Sequence, residues 1–478
     1  MRSLRRLGFA LMVLGMMQSV HGQYLLQDPL RKDSQTAPAP GVFWTPQNAL
    51  PAVPRPPTTP ELRADVSPLS LPALTEYALR NNPRSREAWL AARAAAAGVG
   101  IEQADLLPQI SGTYTLTRLQ QFSATSGAVV PWQSRYGPAI SFSYILYDFG
   151  ARASRADAAQ YRLLAANLNQ NRVLQDVVFQ VEQAYYRLIG TEALVRVNDL
   201  TLQNLKTAYD AAQRRRESGL ATVADVYRAE TQVAQAQLNL TRSRGELEKA
   251  RGQLATAAGL PVNGTLRIET LSGPPRTGEV TSTLDELLER AKRGRPDLIA
   301  AEAQARASRA SAQAAGKAAL PSIEISGAAG RTSFSDNRPV VPTYSIALAL
   351  RIPIFTGFRD TYTIRQAEAQ AAQAEAVRDG LYRQTEFDVW QAYYDLQTAA
   401  SGITSTATQV KSAEQTSQAT LARYQAGFGS LLDLITAQLD ESNARVQQVQ
   451  SYLDWYTAVS RLNFSVGFND LMMAGDKK

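Results

Sequence analysis

The chain has 478 residues, with 50 Lys and Arg, 43 Asp and Glu, a single His and no Cys, for a net charge of +7. A hydrophobic share of 45% is enough for a core and excludes a disordered chain. The one His, His21, lies in a segment expected to be removed, so thiol nucleophiles, His bases, Ser-His-Asp triads and ordinary zinc sites are excluded.

Residues 1–22 read as a signal peptide. Arg2, Arg5 and Arg6 form its basic end, Leu7 to Val20 its apolar stretch, and Val20-His21-Gly22 the approach to the cut. The apolar stretch is too short to span a bilayer. Removing three Arg lowers the net charge from +7 to +4, which argues against a nucleic-acid partner. No later segment carries about 18 consecutive apolar residues, so no transmembrane helix is expected. Residues 23–68 are Pro-rich and read as an extended arm.

Proline is then missing from Ala139 to Leu260 and from Ile354 onward. Because proline costs about 3 kcal/mol inside a helix, these windows are where long helices can form. Helical spacing runs through Leu174, Val177, Val181, Tyr185 and Leu188, and again through Val446, Val449, Leu453, Tyr456 and Val459.

The chain is an internal duplication. ALRNNP (78–83) returns as AKRGRP (291–296), and LPQI (107–110) as LPSI (320–323). Gly150/Arg152 returns as Gly357/Arg359, QAYYRL (183–188) as QAYYDL (391–396), and GLATVADVYRAE (219–230) as GFGSLLDLITAQ (427–438). The expected organisation is a first repeat over 69–258, a linker over 259–282, a second repeat over 283–466 and a tail over 467–478. Each repeat reads as a short helix ending at Pro83 or Pro296, then a helix to Leu106 or Ala319. Two strands follow, at 108–118 and 138–149 or at 321–330 and 343–353. A long helix then covers 151–215 or 358–425, a Gly turn reverses the chain, and a helix returns over 222–258 or 431–466. The long helices reach roughly 100 Å, and two short helices stacked end to end match one of them.

The strands alternate. Ile110, Gly112, Tyr114 and Leu116 interleave with Ser and Thr, as do Ile140, Phe142, Tyr144 and Leu146, mainly with Ser. Ile323, Ile325 and Gly327 and then Tyr344, Ile346, Leu348, Leu350 and Ile352 continue the pattern. Taken alone, such alternation favours an ordinary amphipathic sheet covering a helix, although it is also the pattern of a membrane β-barrel wall. The signal peptide and the matched strand pairs interrupting very long helices favour the barrel. Trp132, Tyr136, Tyr147, Phe149, Phe355 and Phe358 are then candidates for interfacial girdles. Four strands cannot close a barrel, and open edges are not tolerated in lipid, so copies must combine, two giving eight strands or three giving twelve. Small and polar inward residues favour the larger, open barrel.

On these features the sequence resembles the TolC-like outer-membrane efflux proteins over about 69–466. The resemblance implies an α+β membrane protein in which three chains, four β-strands each, share one barrel in the outer membrane. A long α-helical barrel continues it into the periplasm. It implies a homotrimer, a periplasmic adaptor (membrane fusion) protein and an inner-membrane RND or ABC transporter as partners, with no cofactor, metal, catalytic residue or nucleic acid. It places adaptor-docking tips at Gly219, Leu220, Ala221 and Thr222 and at Gly427, Phe428, Gly429 and Ser430. Membrane-facing strand residues are Tyr114, Leu116, Phe142, Tyr144, Ile346, Leu348 and Leu350. The acidic ring that the family often carries above the second tip is missing, since Gln415 to Ala426 holds no acid. Gln418, Leu421 and Arg423 stand there instead as a candidate periplasmic constriction.

The expected role is a passive exit duct for small toxic compounds. The family equally admits type I secretion of an unfolded polypeptide. A periplasmic coiled-coil scaffold and a secreted enzyme are the alternatives of other classes, and a general diffusion porin is an alternative within the channel class. Lys317 after Gly316 does not make a phosphate loop, because Ser311 stands where the upstream Gly belongs. Arg214, Arg215 and Arg216 suit a helix C-terminus, and Tyr185, Tyr186, Tyr393 and Tyr394 suit packing between helices.

Overall fold

The computed structural model describes residues 68–120, 125, 127, 129, 132–262, 267–269, 275, 283–335 and 339–467. The signal peptide, most of the Pro-rich arm, most of the linker and nearly all of the tail lie outside these residues.

The first repeat begins with α1 (Leu71–Asn81) and α2 (Pro83–Ala104). Asn82 separates them: its side chain caps α2 by accepting from Arg84 N at 2.9 Å, and Pro83 takes the first helical position. Strands β1 (Gln109–Leu119) and β2 (Gln133–Tyr147) follow. Helix α3 (Ala151–Glu217) has 67 residues, about 100 Å, and α4 (Val223–Ala258) returns along it. The second repeat runs α5 (Leu284–Gly294), α6 (Pro296–Ala318), β3 (Ser322–Phe334), β4 (Val341–Arg351), α7 (Arg359–Gln425) and α8 (Leu431–Val466). Helix α7 also has 67 residues.

Two short helices meet end to end beside each long one. The side chain of Asn82 donates to Ala257 O at 2.9 Å, which seats the start of α2 on the end of α4. Gly259 ends α4 with φ +75, and a Cβ there would lie 3.3 Å from Asn81 O. Gly467 ends α8 in the same way, with φ +85 and room for a Cβ only 3.0 Å from Arg295 Cα. Both junctions need a residue with no side chain in a left-handed conformation.

Helix packing follows a seven-residue period. Val389, Leu396, Ile403, Val410, Ser417 and Tyr424 form one buried line of α7, and Thr385, Ala392 and Ala399 a second. Ala437, Ala444, Ser451, Ala458 and Ser465 are one of the buried lines of α8. A strict heptad held this long winds helices into a left-handed coil. The apolar residues read from the sequence in α8, Val446 to Val459, are half-buried and flank this line. Its Ala and Ser residues let the backbones approach, and the strongly apolar Leu431, Leu434, Leu462 and Val466 are buried toward the two ends of the helix.

The four strands form one antiparallel sheet in the order β1-β2-β3-β4. Ile110 faces Phe142, Phe142 faces Gly327, and Gly327 faces Ile346, so this row lies on one face. The next row, Ser111, Ser141, Ala328 and Ser345, lies on the other. Ser111 and Ser141 hydroxyls bond there at 2.8 Å. The Phe142 ring lies across Gly327, filling the space a side chain would take. Strand β2 starts five residues before the expected position 138. Pro138 lies inside it, where the β2–β3 ladder skips from Tyr136 to Ala139, and Gly137 lets the Arg331 carbonyl come close. A proline in a central strand is tolerated only at such an interruption. Among the described residues, β1 and β4 each pair with one strand only and form the two edges of the sheet.

Candidate functional site: helix tips and strand edges

Both reversals at the far end of the long helices are built alike. After α3, Gly219 takes φ +73, Gly219 N donates to Arg216 O at 2.9 Å, and Leu220 N donates to Arg215 O at 2.7 Å. After α7, Gly427 takes φ +88, Gly427 N donates to Tyr424 O at 3.1 Å, and Phe428 N to Arg423 O at 2.9 Å. This is the paired bonding of a Schellman stop, and it requires glycine at the left-handed residue. Each returning helix is then capped. Thr222 Oγ1 accepts from Asp225 N at 3.2 Å, and Asp225 Oδ2 accepts from Thr222 N at 3.1 Å. Ser430 Oγ accepts from Asp433 N at 3.1 Å. The hydroxyl and backbone N–H of Thr222 hold the Asp225 carboxyl below its ordinary value.

The residue after each left-handed glycine usually tucks its side chain onto the last helical turn. Here Leu220 is 70% exposed and Phe428 81% exposed. Ala221 is half-buried, and so is Gly429, whose would-be Cβ lies 3.0 Å from Tyr424 N. Thr222 and Ser430 are exposed caps. The tips thus hold apolar groups toward solvent on rigid, capped turns.

The two tips are joined. Arg215 Nη1 donates to Tyr424 O at 2.8 Å, and its guanidinium lies over the Tyr424 ring at 4.7 Å. Burial pushes the Tyr424 hydroxyl upward in pKa. Tyr424 also belongs to a core with Leu205, Ala212, Val226, Leu431 and Leu434. The sequence marks Arg215 only as a basic residue at a helix end, and its tie to Tyr424 comes from the packing of the two repeats. Of the candidate constriction, Gln418 and Arg423 are exposed, whereas Leu421 packs against that same core.

At the opposite end, Tyr114, Leu116, Ile346, Leu348 and Leu350 are exposed on the apolar sheet face. Phe142 and Tyr144 share that face and are half-buried. Trp132, Tyr136, Tyr147, Phe149, Phe355 and Phe358 are all exposed. Tyr147 and Phe149 rings lie 4.8 Å apart, and Phe355 and Phe358 rings 5.5 Å apart.

The strand–helix junction of the first repeat is locked by Arg152. Its Nε donates to Asp148 Oδ2 at 2.9 Å, Nη1 to Asp105 O at 2.8 Å and Nη2 to Ile145 O at 2.6 Å. The second repeat has Phe355 in the place of Asp148, and Arg359 is exposed. Lys317 donates to Ser154 Oγ at 2.8 Å, a bond between α6 and α3. Tyr185 and Tyr186 are buried between helices and Tyr393 partly so, but Tyr394 is exposed beside Trp390.

Two matched stretches, residues 74–260 and 287–467, fit the family model described as outer membrane efflux protein. The chain belongs to the outer membrane efflux protein family. Protein CyaE of Bordetella pertussis is 29% identical over 447 residues, covering 92% of this chain and 89% of that one. The pyoverdine export outer membrane protein OpmQ of Pseudomonas putida is 26% identical, covering 85% and 87%. The fold is that of the Campylobacter jejuni CmeC outer membrane channel, with a TM-score of 0.76, 18% identity, and 83% and 85% of the two chains covered. This efflux protein therefore has the channel-tunnel fold, resides in the outer membrane and extends its helices into the periplasm. It is an exit component of efflux, and its family and fold neighbours are channels rather than enzymes.

Proposed function

We propose that the protein is a passive homotrimeric exit duct that expels small toxic compounds and does no chemistry itself. The observation that carries this is the pairing of two features at opposite ends of the same helices. One end has an apolar sheet face with two edges unpaired among the described residues, and the other has capped tips with exposed Leu220 and Phe428. Three copies supply twelve strands, enough for a barrel wider than one filled by its own side chains. Tyr114, Leu116, Phe142, Tyr144, Ile346, Leu348 and Leu350 then face lipid, and the Ser-rich rows face the lumen.

The tips, Gly219 to Thr222 and Gly427 to Ser430, receive a periplasmic adaptor that couples the duct to an inner-membrane transporter of the RND or ABC class. Exposed apolar side chains on a capped turn suit the apolar face of a partner helix. The position of Arg423 makes the narrow end of the duct positive, in place of an acidic ring. A small cargo is favoured because a relative over most of the chain carries pyoverdine export in its name.

The reading is tested on protein extracted from outer membranes in detergent. Native mass spectrometry is expected to give three copies of the processed chain, and a photo-cross-linker at Phe428 is expected to capture an adaptor. A soluble single copy released without detergent would contradict the duct and favour a periplasmic scaffold.

A further inference from the structure

The chain contains one example of how repeat joins repeat in the sheet, the β2–β3 pairing, and this example fixes how copy joins copy. Resting on the trimeric reading above, we propose that β4 of one copy pairs antiparallel with β1 of the next in one register. That register sets Leu350 opposite Tyr114, Ala349 opposite Thr115 and Leu348 opposite Leu116.

The register follows from two ladders and one sequence match. LPQI and LPSI align Gln109 with Ser322. Gln109 pairs with Ser143, and Ser322 with Arg351, so Ser143 of the first repeat corresponds to Arg351 of the second. By the same correspondence Phe142 maps to Leu350, and Gly327 maps back to Tyr114. Phe142 pairs with Gly327 inside the chain. Transposed to the free edges, that pair becomes Leu350 with Tyr114 of the next copy.

Two further observations fit it. The transposed register keeps Tyr114, Leu116, Leu348 and Leu350 on one apolar face, whereas a one-residue slip would turn one strand over. It also accounts for the exposed run beyond β4. Ile352, Ile354 and Phe355 are apolar, lie outside the strand and leave Ile354 93% exposed. Their counterparts at the end of β2 stay in the strand to Tyr147 because β3 lies beside them. In the proposed register Ile352 meets Gly112 and Ile354 meets Ile110 of the next copy. The spacing difference between the repeats is explained too. Ser143 to Arg351 is 208 residues but Gly150 to Gly357 is 207, and the extra residue of the first repeat sits at the bulge between Ile145 and Tyr147.

The natural chain has no Cys, so paired cysteines read the seam without background. Thr115 and Ala349 lie on the two outer strands of the chain's own sheet, about 14 Å apart across three strand spacings, and the row of Thr115 meets β4 at Val341, eight residues short of Ala349. That exceeds the roughly 7 Å limit for a disulfide, so any bond joins copies. Thr115→Cys/Ala349→Cys and Thr117→Cys/Ala347→Cys are expected to give covalent multimers on mild oxidation. The shifted pairs Thr113→Cys/Ala349→Cys and Thr117→Cys/Ala349→Cys should give roughly tenfold less. Native mass of each reduced variant is measured alongside. Trimers that cross-link better through a shifted pair, or through none, overturn the register alone. Reduced variants and wild type that are all single copies overturn the trimeric reading beneath it.

Discussion

Arg215 and Tyr424 tie the two periplasmic tips of one chain together, by a 2.8 Å bond from the guanidinium to the tyrosine carbonyl and by stacking on its ring. The same carbonyl accepts from Gly427 N, so the tie grips the turn itself. Arg215→Ala removes a charged hydrogen bond and a cation–π contact, together about 1–3 kcal/mol. Planar-bilayer recording is expected to show a larger, less steady conductance than wild type, and Arg215→Lys should restore it only in part, because an ammonium lacks the planar fork.

Phe428 and Leu220 are exposed on rigid turns, so changing them leaves the fold intact. Phe428→Asp and Leu220→Asp are expected to lower cross-linking to the adaptor and raise toxin sensitivity, with extracted trimer unchanged in amount. Both variants behaving like wild type would remove the tips from the docking account.

The junction below the barrel rests on Arg152, which is buried and bonds Asp148, Asp105 O and Ile145 O. Removing one partner of a buried, bonded pair costs about 3–5 kcal/mol. Arg152→Ala is expected to lower the denaturant midpoint of the extracted protein strongly. Arg359→Ala, at the matching but exposed place in the second repeat, should change it little.

The glycines at the helix ends differ in cost from those within helices. Gly467→Ala forces a side chain into φ +85 and toward Arg295 Cα, at a cost of about 1–3 kcal/mol. Gly245, inside α4, has no atom within 4 Å of a would-be Cβ. Gly245→Ala is expected to stabilise by about 0.5–1 kcal/mol. Chemical denaturation of the two variants measures both signs.

Acid loosens the first tip. Bonds from Thr222 depress the folded pKa of Asp225, so its stabilising effect is complete above the unfolded value of about 3.9 and is lost as pH falls through the folded one. Hydrogen exchange at the start of α4 is expected to show weaker protection at pH 3 than at pH 7, after correction for intrinsic rates. Asp225→Asn should flatten that difference.

Much of the architecture was legible because it repeats. Proline-free windows and the Gly turns marked α3, α4, α7 and α8 closely, since proline and left-handed glycine act through the local backbone. Residue alternation marked the strands, but the start of β2 was missed because Gly137-Pro138 resembles a turn until Arg331 is seen packing against it. The interhelical line of Ala437, Ala444 and Ser451 carries little hydrophobic signal and emerges only from packing. The tips could be placed from Gly219 and Gly427, whereas the Arg215–Tyr424 tie joins residues 209 positions apart, which no local pattern encodes.

The central claim, a duct that expels small compounds, is tested most directly in cells. The gene is deleted, and accumulation of lipophilic dyes and antibiotics is measured with wild-type protein or Gly427→Trp supplied back. The account predicts higher accumulation on deletion, restored by wild type and not by the tip variant. Unchanged accumulation across the panel, with a polypeptide missing from the culture medium, would contradict small-compound export and point to protein secretion.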